Sequence, residues 1–359
     1  MEQPNFYRLR NMPADAAPAR VALLLPLSSP SADTRTVAQA LEHAAELAVF
    51  DAKNPAILLM PRDDGGTPET AIAAANQAIS DGAEIIVGPL LAPQVMAIAP
   101  LARAKHIPVI AFSTDRSVAG NGVYLLSFQP EIEVARITSY AIQSGHSNFA
   151  ALIPNSAYGD KVTDAFRDTV MRGGARLADI QRFDERPELV GPAAQMSVKS
   201  GADAVLIAEG GPMLQASAPA LAIAGAKDRN IQFIGTGLWD DPAIVHEPML
   251  IGGWFAAPPP AAFTAFSAHY RAVFRANPPR IATLAYDALA LVALLANGKA
   301  FERFTDAALT DPSGFSGIDG IFRFRRDGSA DRGLAVLEVG ADGFSVRDPA
   351  PRSFVGAGF

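Results

Sequence analysis

The stretch EIIVGPLLAPQVMAIAPLARAKHIPVIAFSTD, residues 84–115, decides the fold. Two short apolar runs, Ile85–Val87 and Ile107–Ala111, each break off abruptly. The first stops at Gly88-Pro89-Leu90-Leu91, the second at Phe112-Ser113-Thr114-Asp115. Between them lies a segment with helical spacing. Apolar runs of this kind do not alternate, which is how strands buried on both faces of a parallel sheet read.

The same unit repeats along the chain. Strand-like runs occur at Val21–Leu27, Ala56–Met60 and Val123–Ser127, then at Phe149–Ile153, Ala204–Ala208, Ile231–Ile234 and Ile251–Phe255. The intervals carry apolar stripes at helical spacing, as with Val37, Ala40, Leu41, Ala44, Ala45, Leu47 and Ala48. Strand, helix and strand with short connections form a right-handed crossover. The expected fold is α/β, with two doubly wound parallel-sheet lobes joined by a multi-crossing hinge. The end of the chain differs. Alternation around Asp327-Gly328 and Asp342-Gly343 predicts antiparallel hairpins.

Acids open a helix at Pro130, where they suit the helix dipole, and the first crossing between lobes falls at Gln129–Glu131. A second follows Ile251–Phe255, where three prolines stiffen a connector. The expected division is an N-terminal extension at 1–19, a first lobe of 20–129 plus 257–333, a second lobe of 130–256 plus 334–348, and a tail at 349–359. A hinge between such lobes predicts a cleft at the carboxyl ends of both sheets.

Composition limits the function. The chain has 359 residues, a size for two domains, with 49% hydrophobic and 19% charged residues. A net charge of -7 argues against a nucleic-acid partner, which needs a basic footprint. The absence of cysteine excludes disulfides, thiolate catalysis and Cys-based metal sites. No apolar stretch reaches the roughly 18 residues of a transmembrane helix. The polar first residues lack the apolar core of a signal peptide, so either the protein is cytosolic or Met1 replaces a removed leader.

The candidate ligand-binding residues are those that follow the strands. Ser28 follows the first, Leu90, Leu91 and Ala92 the third, and Phe112, Ser113, Thr114 and Asp115 the fourth. In the second lobe they are Tyr158, Glu209, Gly210, Trp239 and Asp240. Small residues, hydroxyls, backbone amides and two large aromatics suit a small-molecule pocket. Each has a plainer alternative. Ser113-Thr114-Asp115 can cap a helix, Tyr158 and Trp239 can pack within their own lobe, and Glu209 can pair with an arginine. Catalytic signatures such as H-E-x-x-H, G-x-S-x-G or a P-loop are absent. The five histidines fall outside these loops. The chain thus reads as a binder and not an enzyme, with no cofactor and no metal.

The order VALLLPLS, DDGGTPETAIAAANQAISDGAEIIVGPL, IPVIAFSTD, IPNSAYG, ADAVLIAEGG and FIGTGLWDD resembles the type I periplasmic solute-binding proteins. The nearest branch is the leucine/isoleucine/valine-binding receptors of ABC transporters. GTGLWDDP, TLAYDALAL, GIDGIFRF and DPAPRSF are similar to a subgroup of that fold, the penicillin-binding protein activators. The resemblance implies an extracytoplasmic receptor of an ABC importer that closes over a small organic ligand and docks on a permease. It also implies a periplasmic location, with the leader removed and a lipid anchor as the membrane tether. The alternative it carries is an envelope protein that regulates a cell-wall synthase through protein contacts.

Carried over residue by residue, the resemblance shows departures. Where amino-acid receptors offer serine to the ligand carboxylate, this chain has Leu91, Ala92 and Pro93. Ser113, Thr114 and Tyr158 retain their expected types. The acid that receives the ligand ammonium would fall near Gly237, where this chain has none, leaving Glu209, Asp240 and Asp115 as substitutes. A more apolar or aromatic ligand would instead suit Leu90, Phe112 and Trp239.

Overall fold

The computed structural model describes residues 18–54, 56–184, 186–299 and 302–355. Most of the expected N-terminal extension and the last residues of the tail therefore lie outside the described residues. The chain divides into two compact units. Unit 1 comprises Met1–Phe128, Pro260–Arg332 and Arg352–Phe359; unit 2 comprises Gln129–Pro259 and Gly333–Pro351.

Unit 1 begins with β1 (Ala19–Leu25), α1 (Ala32–Ala52), β2 (Ile57–Asp63), α2 (Pro68–Ser80), β3 (Ile85–Val87), α3 (Ala92–Ala104), β4 (Val109–Ala111) and β5 (Val123–Leu125). The strands form a parallel sheet in the order β2-β1-β3-β4-β5. The first two helices start where the sequence supplies caps. The Ser31 hydroxyl accepts from the Thr34 amide ahead of α1, and Thr67 and Thr70 cap each other's backbone ahead of α2.

Unit 2 repeats the pattern. It contains α4 (Pro130–Gln143), β6 (Asn148–Pro154), α5 (Ala157–Arg172), β7 (Arg176–Phe183), α6 (Pro187–Lys199), β8 (Ala204–Ile207), α7 (Gly211–Ile223), β9 (Gln232–Gly235) and β10 (Trp254–Ala257). The chain then supplies unit 1 with α8 (Pro260–Phe274), α9 (Ala282–Leu295), α10 (Asp306–Leu309) and a small antiparallel sheet of β11 (Phe315–Gly317), β12 (Gly320–Phe324) and β13 (Ala330–Arg332). It closes in unit 2 with β14 (Ala335–Val339) and β15 (Phe344–Asp348).

The large sheet of unit 2 runs β15-β14-β10-β9-β8-β6-β7, parallel from β7 to β10 and antiparallel at β14 and β15. It is thus mixed, not parallel throughout. The C-terminal hairpin adds to its edge because two adjacent strands joined by a tight turn pair antiparallel. The β7 strand has no counterpart in the sequence reading. It is an edge strand, largely half-exposed, so its sequence RLADIQRF lacks an apolar run.

The parallel strands of both sheets are ordered in the same way about the first strand. In unit 1 the strand order reverses between β1 and β3, and in unit 2 between β6 and β8. Ligands of open α/β sheets bind outside the carboxyl ends of the strands at such switch points. The loops carrying Ser28 and Leu90–Ala92 flank one switch point, and those carrying Tyr158 and Glu209 flank the other.

Candidate functional site

In unit 1 the rim is built from backbone and small polar groups. Ser28 is exposed, and its amide donates to Asp63 Oδ1 at 3.1 Å. Burial raises the Asp63 carboxyl's pKa, but hydrogen bonds from Ser28, Gly65 and Leu27 outweigh it and hold the pKa below the usual carboxylate range. Its neighbour Asp64 is fully buried, and burial pushes it up to about 6 against the Gly66 amide. After β3, Leu90 packs on the unit 1 core, and Leu91 precedes α3 without a side-chain cap. Amides of the first turn of α3, which begins at Ala92, carry the positive end of its dipole.

After β4 the chain turns inward. Phe112 is a core residue of unit 1, almost wholly buried. The Ser113 hydroxyl accepts the Asp115 amide at 3.0 Å, and Asp115 in turn caps a short turn at Arg116–Val118. The capping alternative therefore describes Ser113 and Asp115. Thr114 between them is exposed.

In unit 2 three loops converge. The Ser156 hydroxyl caps α5 and sets the start of the helix at Ala157. Tyr158, in the first turn, points its hydroxyl at Thr236 Oγ1, 2.9 Å away, at the end of β9. Glu209, at the end of β8, is 4% exposed, and Gly210 opens α7. Burial raises the Tyr158 pKa. The Thr236 bond opposes that rise, and the nearby charges of Glu133 and Glu209 reinforce it. The phenol therefore stays neutral at physiological pH.

Glu133 was not among the residues expected from sequence. It lies in the first turn of α4, is 8% exposed, and accepts the Gly237 amide at 2.9 Å. A Cβ at position 237 would lie 2.7 Å from Glu133 Oε1. The carboxylate thus fills the place where a side chain at 237 would begin. Its position four residues into a helix made it read as a partner of the helix dipole. The one available signal was the missing Cβ at Gly237.

Trp239 packs within its own lobe. It is fully buried in the unit 2 core, tilted against Phe255 at 6.2 Å, with its indole N–H bonded to the Ile207 carbonyl at 3.2 Å. Gly235 admits it: a Cβ there would lie 2.2 Å from the ring. A buried tryptophan satisfied in this way has no ring face to offer a ligand. Asp240 closes the same turn, partly buried, and Asp241 caps the next one by accepting the Ala243 amide.

The unit 2 rim thus presents negative charge and one phenol, suited to a positive or donor-rich group. Among the described residues no cluster of three His, Asp or Glu side chains could hold a metal ion. Among the same residues no helix is long and apolar enough to cross a membrane.

Similarity to known proteins agrees with this architecture. A putative branched-chain amino acid ABC transporter protein from Rhodospirillum rubrum superposes with a TM-score of 0.81 over 92% of this chain and 99% of its own, at 16% identity. An uncharacterized protein of Rickettsia prowazekii is 22% identical over 185 residues, 52% of this chain and 48% of that protein. Penicillin-binding protein activator LpoA of Klebsiella pneumoniae is 28% identical over 182 residues, 45% of this chain but 25% of the relative. This chain spans about half the length of the first of these two curated relatives and a quarter of the second. The periplasmic binding protein family matches residues 18–344, nearly the whole two-unit architecture described above, and the chain belongs to that family.

Proposed function

We propose that the chain is an extracytoplasmic solute-binding receptor of an ABC importer, and that its solute is a small organic molecule bearing a positive group. The observation that carries this reading is the Glu133 carboxylate seated against Gly237, beside Tyr158 and near Glu209. The resemblance implies an acid near position 237 that receives a ligand ammonium, and the carboxylate of Glu133, from α4, lies against Gly237. Burying an ammonium without a countercharge would cost several kcal/mol. An amino acid fits this combination better than an aromatic acid, since Phe112 and Trp239 lie in the cores.

Thermal melting against L-amino acids and their des-amino analogues tests the reading. A ligand at 100 times its dissociation constant should stabilise the fold by about 2.7 kcal/mol. Stabilisation by an amino acid but not by the analogue is expected, and its loss in Glu133→Gln. A panel in which no compound stabilises the wild type would refute the receptor.

A second reading is an envelope protein that regulates a cell-wall synthase, tethered by a lipid anchor. Two observations favour it: the similarity to LpoA, and Leu91, Ala92 and Pro93 in place of the expected serine. Affinity capture from envelope extract separates the two. Recovery of permease subunits supports the receptor, and recovery of a synthase supports the regulator.

A further inference from the structure

Tyr158 stands on a weak piece of helix. It lies in the first turn of α5 and is followed at once by Gly159, and glycine is a poor helix former. Position 159 has no room for a side chain. A Cβ there would lie 1.9 Å from the Pro154 carbonyl oxygen and 3.0 Å from the Ile153 side chain. The turn therefore rests directly on the end of β6. Its own cap is the Ser156 hydroxyl, which accepts the Gly159 amide at 3.2 Å. The first amides of a helix lack partners within it, and such ends open most readily.

The edge strand β7 supplies what the turn lacks. Arg182, next to last in that strand, pairs in register with Ile153 of β6. Its Nε donates to the Pro154 carbonyl at 3.1 Å, its Nη1 to the Thr163 hydroxyl at 3.2 Å and its Nη2 to Asp160 at 2.9 Å. Thr163 passes the contact on, since its own hydroxyl donates to the Gly159 carbonyl at 2.7 Å. One guanidinium thus ties the end of β6 to the turn that carries Tyr158. A planar fork holds several acceptors in fixed directions, which an ammonium does not. The Asp160 arm is the lesser one, because the Asp160 side chain is 71% exposed and ion pairs open to water contribute little.

We propose that Arg182 is a positioning residue of the binding site. By fixing the first turn of α5 on the end of β6, it holds the Tyr158 hydroxyl on Thr236, 2.9 Å away. Its effect on a ligand rests on the receptor reading given above, whereas its effect on Tyr158 does not.

Nuclear magnetic resonance of the full chain, isotope-labelled at the tyrosine ζ carbon, tests the placement without any ligand. Tyr158→Phe identifies the Tyr158 signal, and Thr236→Val shows where it falls once the bond is gone. In Arg182→Lys, which keeps the charge but loses the fork, the signal should move towards its place in Thr236→Val. Thr163→Val cuts the arm to Gly159 and leaves the other two, so it should move the signal the same way by less. A signal unmoved in Arg182→Lys overturns the proposal. Should that variant fail to fold, an unmoved signal in Thr163→Val overturns it instead.

Calorimetry with whichever L-amino acid stabilises the wild type reads the effect on binding. Arg182→Lys should weaken affinity about fivefold, the worth of one hydrogen bond. With Tyr158 already replaced by Phe, it should weaken affinity by less than about twofold. Equal weakening in both backgrounds overturns the positioning role, because Arg182 would then act on something other than Tyr158. If no amino acid binds the wild type, it is the receptor reading that fails, and the tyrosine signal decides whether Arg182 places Tyr158.

Discussion

Glu133 and Gly237 are 104 positions apart in sequence, yet the carboxylate of one accepts the amide of the other at 2.9 Å. The glycine's missing side chain is what makes the room. Position 237 thus needs to be small because position 133 is acidic, and the two act as one charged element at the end of β9.

Gly237→Ala should separate placement of that charge from stability of the fold. The atoms that a new Cβ would meet are the far end of a flexible side chain, 2.7 Å away. Glu133 should swing aside, leaving the folding free energy within about 1 kcal/mol of wild type by chemical denaturation. Affinity for whichever amino acid stabilises the wild type should fall by about tenfold or more, read by calorimetry. Unchanged affinity would remove Glu133 from the binding account.

Tyr158→Phe deletes the 2.9 Å bond to Thr236, a fully buried residue. A net loss of about 1 kcal/mol is expected, the usual worth of such a bond. The phenol feels the Glu133 and Glu209 charges, so amino-acid affinity should fall as well. Thr236→Val removes the other partner and should cost little more when combined with Tyr158→Phe than either change alone. Additive losses in the double variant would show that the two hydroxyls act separately.

Much of this was legible in the sequence, and the omissions have physical reasons. Runs such as Val21–Leu25 and Ala204–Ile207 are buried on both faces, so their apolar character is continuous. The β7 strand is exposed along one edge and keeps its arginines and aspartate, which erases the signal. Tyr158 and Glu209 were identifiable because they follow strands. Glu133 follows none and reaches the rim from the first turn of a helix, where acids are ordinary. Trp239 follows a strand too, but Gly235, four residues earlier, lets its ring fold back into the core.

Asp64 gives a pH dependence with a definite sign. Its folded pKa of about 6 exceeds the unfolded value, so the folded state binds more protons in between. Its contribution to stability is greatest below about pH 4 and falls until about pH 6, by up to about 3 kcal/mol. Asp64→Asn keeps an acceptor for the Gly66 amide, 2.9 Å from Oδ1, and removes the charge. The stability difference between Asp64→Asn and wild type, from urea titrations at several pH values, should grow from pH 4 to 6 and then level off. A difference that does not vary with pH would show that the carboxyl titrates normally.

Trp239 and Gly235 should prove strongly coupled. Trp239→Ala empties a large core volume and should cost about 3–5 kcal/mol. Gly235→Ala places a methyl where the indole now sits, 2.2 Å from the ring, and such overpacking costs about 1–3 kcal/mol or more. In the double variant the new methyl enters the space the indole left. The combined loss should therefore fall short of the sum by on the order of 1–3 kcal/mol. Denaturant titrations of the four proteins measure the coupling. If instead the losses add, the indole does not rest on Gly235. If Trp239→Ala spares stability and abolishes ligand binding, the ring belongs to the binding site after all.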